Sequence, residues 1–108
     1  MAETRQFGDI ASKLLMENDR VRVWEMRLGP GERSALHRHE NDYVMIQISG
    51  DKMAADFEPD SGGPWGKLGR VEGDIAPGNV IYAERGGIET AVNIGEEPFY
   101  EIVVELKD

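Results

Sequence analysis

Turn-forming residues cut this chain into pieces too short for long helices. Gly29-Pro30-Gly31, Gly50-Asp51, Asp60-Ser61-Gly62-Gly63-Pro64, Gly73-Asp74, Pro77-Gly78-Asn79 and Gly86-Gly87 all fall between residues 29 and 87. Each supplies a positive or preset φ that the interior of a regular element does not accommodate. The intervening runs are rich in β-branched and aromatic residues. They predict strands over residues 21–28, 33–39, 43–49, 53–58, 67–72, 80–83, 88–94 and 99–106. Eight short strands at this spacing read as a small barrel or jelly roll, so the fold class is all-β. Thirteen Gly and five Pro in 108 residues agree with that and exclude a bundle of long helices.

The length is that of one domain, and no internal repeat, low-complexity tract or linker divides it. Two parts are expected: residues 1–20 as an N-terminal arm or short helix, and residues 21–108 as the barrel domain. In the first, Ile10, Leu14 and Leu15 would share one side of a short helix spanning 10–16.

Charge limits the partners. Twelve Lys and Arg stand against 21 Asp and Glu, a net charge of −9, and the basic residues are scattered singly. A chain of this kind repels phosphate backbones and anionic membranes, so no nucleic acid and no membrane are expected as partners. Cysteine is absent, which removes disulfide and thiolate chemistry. No apolar stretch reaches the length of a membrane span, and the polar start lacks a signal-peptide core. A cytoplasmic location is the expectation. No G-x-S-x-G elbow and no phosphate-binding G-x-x-x-x-G-K-[ST] loop is present, which disfavours nucleophilic and nucleotide-dependent enzymes.

Two strands say more through their alternation. In 43–49, Val44, Ile46 and Ile48 share one face, and Tyr43, Met45 and Gln47 share the other. If the mixed face lines a cavity, the β-branched face needs a second cover: a sheet layer, a partner subunit in a homodimer, or an N-terminal arm using Leu14 and Leu15. In 99–106, Tyr100, Ile102, Val104 and Leu106 alternate with Phe99, Glu101, Val103 and Glu105, which predicts one buried face and one mostly wet.

The chain has only two His, His37 and His39, one residue apart in a β-prone run. In a strand, that spacing puts both rings on one face with Cα atoms roughly 7 Å apart. Two imidazoles so placed can converge on one ion, and a carboxylate from a neighbouring strand would complete a facial triad. A bare His-x-His is more often a pair of surface residues.

The pair does not stand alone, because two longer spacing patterns surround it. Gly31, five residues, His37-Arg38-His39, three residues, Tyr43, six residues and Gly50 follow the pattern G-x5-H-x-H-x3-E-x6-G. Gly78, five residues, Glu84, one residue, Gly86, two residues, Glu89, three residues and Asn93 follow G-x5-P-x-G-x2-H-x3-N. In these two motifs the chain resembles the cupin superfamily, and most closely the small single-domain cupins. The resemblance implies a double-stranded β-helix (jelly-roll) barrel with one pocket between its sheets. It does not imply one reaction, because cupins include dioxygenases, isomerases, epimerases, lyases, sugar-binding sensors and storage proteins.

Family metal sites use up to three His and one Glu. Here Tyr43 stands at the Glu position and Glu89 at the third His. The resemblance therefore implies a rearranged triad of His37, His39 and Glu89, holding a divalent ion such as Fe, Mn, Zn or Ni. Tyr43 would act as acid, hydrogen-bond donor or weak ligand, and Gln47 would orient a small organic substrate. The competing expectation is a noncatalytic or degenerate ligand-binding barrel without metal, in which Glu89 pairs with Arg85 or Arg38. Trp24 and Met45 read as packing residues, Trp65 as part of a mobile loop, and Asn93 as a residue that fixes a strand end.

Overall fold

The computed structural model describes residues 5–108, so residues 1–4 of the expected arm lie outside it. Nine antiparallel strands form among the described residues: β1 (Lys13–Glu17), β2 (Val21–Leu28), β3 (His37–Arg38), β4 (Asp42–Ser49), β5 (Lys52–Phe57), β6 (Arg70–Asp74), β7 (Val80–Ala83), β8 (Ile88–Asn93) and β9 (Phe99–Leu106). They make two sheets, one ordered β1-β2-β9-β4-β7 and the other β3-β8-β5-β6. Crossing between sheets at successive turns produces the jelly roll, and the apolar inner faces of the two layers enclose the core. Trp24, Met26 and Leu28 from β2, Tyr43 from β4 and Phe99 and Val103 from β9 are buried there.

The strands over 21–28, 80–83 and 99–106 occur where the turn residues place them. Three other segments differ. Lys13–Glu17 is a strand rather than a helix, and all five of its residues are exposed. Its order comes from pairing with β2, whose outer edge would otherwise present unpaired backbone groups. Ser12 secures the start of the pairing, since its Oγ accepts from the Arg27 N–H (2.9 Å). Of the segment 33–39 only His37–Arg38 is a regular strand, with a single further bridge from Arg33 to Val92. The segment 67–72 splits at Gly69, whose φ of 74° ends a short 3-10 helix (Gly66–Leu68) before β6 begins.

β9 is the instructive element. Phe99, Glu101, Val103 and Glu105 are the buried residues, and Tyr100, Ile102, Val104 and Leu106 are only half-buried on the outer face. Alternation is as expected, but hydropathy alone would put the glutamates outside. They are inside because register sets them level with inward-facing residues of the flanking strands, Glu101 with Met26 and Gln47, and Glu105 with Tyr43. The inner face of β9 looks across the barrel, and its outer face continues the β-branched stripe of β4. Glu105 is fully accommodated there, accepting from Trp24 Nε1 (2.7 Å), Asn41 Nδ2 (3.1 Å) and Arg22 (3.4 Å).

The N-terminal segment does not lie over that stripe. Its strand β1 sits at the sheet edge, with Leu14 and Leu15 at 40% and 44% exposure, while Ile10 reaches the interior cavity. Among the described residues no helix is long and apolar enough to cross a membrane.

Candidate metal centre and its cavity

The two His and Glu89 are brought together by register. β3 pairs with β8 so that His37 is directly opposite Glu89, which places their side chains on one face of the sheet. His39 follows two residues later and is held by backbone bonds to the glycine turn: its N–H donates to Gly87 O (2.9 Å), and the Gly86 N–H donates to His39 O (2.8 Å). That turn is also clamped from behind by Gly62 and Gly63. A Cβ built on Gly63 would lie 3.0 Å from the Gly87 nitrogen, so the approach requires glycine. The loop bearing Trp65 is thereby fastened beside His39, and Trp65 lines the cavity.

The expected ligand set meets at a point. His39 Nε2 lies 2.8 Å and His37 Nε2 3.5 Å from the same oxygen, Oε1 of Glu89. All three side chains are nearly removed from solvent, with His37 at 1%, His39 at 4% and Glu89 at 9% exposure. His37 donates its Nδ1–H to the Ala35 carbonyl (2.8 Å), which orients the ring and turns Nε2 toward Glu89. The alternative ion pair of Glu89 with Arg85 or Arg38 does not form. Arg85 is engaged by Asp42 and Asp108, and Arg38 lies over the Phe7 ring.

This donor set fits a metal ion. Bonds of about 2.0–2.2 Å at tetrahedral or right angles separate neighbouring ligand atoms by about 3.0–3.5 Å. The two separations from Glu89 Oε1, 2.8 and 3.5 Å, bracket that range, while the overall spread of the three ligand atoms, within 4.8 Å, is wider, so the set must draw in around an ion. Two neutral imidazoles and one carboxylate also suit Fe, Mn, Zn or Ni chemically. Among the described residues His39 Nδ1 has no hydrogen-bond partner, so its ring is held by the stack on Tyr43 and the contact with Glu89 and lacks the carbonyl acceptor that orients His37. Burial alone would raise the Glu89 carboxyl. Hydrogen bonds from His37 and His39, and the charge of both, outweigh it and hold the group down to about 2. Glu89 is therefore an anion ready to receive a cation.

Tyr43, at the position of the family's Glu, stacks on His39 with ring centroids 3.9 Å apart and planes 12° from parallel. Burial, reinforced by the negative charge of Glu89 and Glu101, pushes its phenol well up. It stays protonated and has the character of a donor. Gln47 also lines the cavity, but its Oε1 is committed to the Ala76 N–H (3.1 Å) and Asn79 Nδ2 (3.3 Å). Its carbonyl pins the loop before β7, and only its amide NH2 remains for a ligand. Asn93 fixes a strand end, donating to the carbonyls of Leu28 and Glu97.

The cavity has a volume of about 230 Å³ and a largely apolar wall that includes Met26, Met45, Met53, Phe57, Ile75 and Val103. It also contains Glu101, a residue that reading the sequence did not single out. Glu101 is 7% exposed and has no hydrogen-bond or ion-pair partner among the described residues. Burial first, and the Glu89 charge second, push its carboxyl up to about 8.

That shift has a consequence for stability. Between the ordinary carboxyl value of 4.5 and about 8, the unfolded chain ionises Glu101 while the folded chain keeps it protonated. The unfolded state then binds fewer protons, so stability falls with rising pH, by roughly 1.4 kcal/mol per unit at most. Glu101→Gln is expected to remove this slope and to raise Tm at pH 8 while leaving it nearly unchanged at pH 4.5. Thermal unfolding of both proteins across that range checks it, and parallel curves would count against the assignment.

Solved structures of cupins share this double-stranded β-helix. A cupin domain from Bordetella pertussis superposes with a TM-score of 0.71 at 24% identity, covering 98% of this chain and 100% of that one. An RmlC-like cupin from Methanocaldococcus jannaschii gives 0.69 at 20% identity, covering 99% and 93%. The chain thus has the fold of a small single-domain cupin. Structures of known activity share the fold at lower similarity, among them the DMSP lyase DddQ from Ruegeria pomeroyi, with a TM-score of 0.59, 16% identity, and 84% and 40% coverage. A sugar phosphate isomerase and a polyketide cyclase are others. No protein-family profile and no curated protein sequence matches the chain.

Proposed function

We propose that this chain is a metal-dependent cupin acting on a small organic molecule held in the barrel cavity. The observation that carries the reading is the convergence of two imidazole nitrogens on one carboxylate oxygen, buried at the wall of a mostly apolar cavity. His37, His39 and Glu89 would hold the ion, and three protein ligands leave positions for water or substrate. A divalent ion bound there supplies a Lewis acid for an oxygen-bearing substrate. The chain's own groups do the rest. Tyr43 donates a hydrogen bond from a phenol that stays protonated, Gln47 offers its amide, and the largely apolar wall gives a substrate's carbon skeleton a surface to pack on. Solved structures named as a lyase, an isomerase and a cyclase share this fold, so it accommodates more than one reaction type.

Metal analysis of protein purified without an affinity tag tests the reading, with about one divalent ion per chain expected. Metal-free protein that takes up no ion on titration would leave a noncatalytic ligand-binding barrel. The carboxylate has its own test. Glu89 lowers the net charge of a bound divalent ion from two to one and anchors it opposite His37. Glu89→Gln keeps the shape and removes the charge, so affinity is expected to fall roughly 100-fold or more, beyond the loss typical of groups that only support a ligand. Competition against a chelator of known affinity measures it. Unchanged affinity would make Glu89 a structural partner of the two His.

A further inference from the structure

Register sorts the inward-facing residues of the four-stranded sheet into rows. The first row is His37, Glu89 and Phe57, opposite one another on β3, β8 and β5. The second, two residues along each strand, is Ala91, Ala55 and Val71 on β8, β5 and β6. The third places Met53 opposite Gly73. Ala91, Ala55, Val71, Met53 and Gly73 all line the cavity. Met45, Ile81 and Val103, level with one another on β4, β7 and β9, line it from the other sheet. Two packed sheets lie about 10 Å apart, and large side chains on both inner faces fill that space. Paired alanines in the middle row leave it short by about one layer of carbon atoms, a gap of roughly 3.5–4.0 Å. That gap is a slot for a flat ring. A cavity of about 150 Å³ with apolar walls takes one benzene ring. At about 230 Å³ this one has room for a ring with a short substituent and not for two rings.

We propose that the molecule taken by this cavity is a monocyclic aromatic compound whose ring lies in the slot over Ala55 and Ala91 and whose oxygen, on the ring or one carbon from it, reaches the ion. The oxygen contact rests on the reading of His37, His39 and Glu89 as ligands of a divalent ion. Successive rows are about 7 Å apart along a strand. A metal–oxygen bond of about 2 Å and half a six-membered ring cover most of that distance, which sets how close the oxygen must be to the ring. The slot itself does not depend on the ion. Its residues carry no charge, and their register belongs to the backbone ladder whether the first row holds a metal or not. Phe57 borders it on the ion's side, and the thioethers of Met45 and Met53 are favourable neighbours for an aromatic ring. No Lys or Arg lines the cavity among the described residues, so apart from an ion nothing there would grip a phosphate ester.

The probes are benzyl alcohol, cyclohexylmethanol, toluene and glucose 6-phosphate. The first two are neutral and match in carbon count and hydroxyl, so they differ in flatness alone. Each is titrated by NMR against zinc-loaded protein labelled with 13C at the methionine methyls, which Met45→Leu and Met53→Leu assign. Zinc content is measured on the same samples. Wild type is expected to bind benzyl alcohol at least about fivefold more tightly than cyclohexylmethanol, with ring-current shifts at the Met45 and Met53 methyls. Ala55→Leu fills the slot and is expected to lose about tenfold in benzyl alcohol affinity at unchanged zinc content. Should that variant not fold, the smaller Ala55→Val carries the test, with a loss of about threefold expected. Equal or tighter binding of cyclohexylmethanol overturns the proposal. So does displacement of benzyl alcohol by glucose 6-phosphate, or unchanged benzyl alcohol affinity in a folded Ala55 variant. Failure of wild type to hold zinc overturns the metal reading instead. The slot is then judged on zinc-free protein with toluene, which needs no ion. Methyl shifts at Met45 and Met53 that the Ala55 variant abolishes support the slot, and their absence in wild type overturns it.

Discussion

Changing His37 and His39 together to Ala is expected to reduce bound divalent metal from about one equivalent per chain to none. The size of the effect follows from how the centre is built. Each ring contributes one nitrogen toward the same Glu89 oxygen, and Glu89 alone would keep a single monodentate hold on an ion that requires at least three protein ligands. No other group of three or more His, Cys, Asp or Glu placed to hold an ion occurs among the described residues. Removing two buried rings also opens space beside Tyr43, whose ring stacks on His39, so the Ala pair will lose stability as well as metal. His37→Gln with His39→Gln separates the two effects, because glutamine fills more of the volume and keeps a polar end. Elemental analysis after chelation and reloading is the measurement, with circular dichroism to confirm the fold. Equal metal content in wild type and both double variants would remove these residues from the site.

How much of this was legible beforehand depends on the kind of signal. Turn chemistry is local, so the glycine and proline clusters located most strands, and β2, β7 and β9 have the bounds expected of them. Pairing is not local, which is why Lys13–Glu17 reads as a possible helix in isolation and becomes a strand only against the edge of β2. The ligands His37, His39 and Glu89 were visible through motif spacing, since register converts that spacing into the direct opposition of His37 and Glu89. Glu101 was not. A glutamate alternating with apolar residues carries the signature of a wet face, and only the register of β9 with β2 and β4, which sets Glu101 level with Met26 and Gln47, turns that face inward. Its companion Glu105 shows that the same strand can bury a carboxylate for structural reasons when Trp24, Asn41 and Arg22 supply donors. What distinguishes the two glutamates is their partners, and partners are a property of the folded chain.

The inversion of β9 also sets up the second large effect, dimerisation through the outer face of the five-stranded sheet. With the glutamates inside, Ile102 and Val104 join Val44 and Ile46 of β4, which they oppose in register, and Val80 and Tyr82 of β7 extend the patch. Val80 and Tyr82 are 60% and 56% exposed. The N-terminal segment does not cover them, because β1 lies at the opposite edge of the sheet from β7. An apolar stripe across three strands is more than a monomer normally leaves in water. We expect a second copy to cover it, with each aliphatic side chain that becomes fully buried contributing roughly 1.5 to 3 kcal/mol. Ile46 stands at the middle of the patch, between Val80 and Ile102. Ile46→Lys places a charge where two copies would meet while its side chain can still reach water from the free monomer, so folding should survive and association should not. Light scattering is expected to give a dimer for wild type and a monomer for the variant, with metal content unchanged. A wild-type protein already monomeric at micromolar concentration would show that this face is covered by nothing of its own kind.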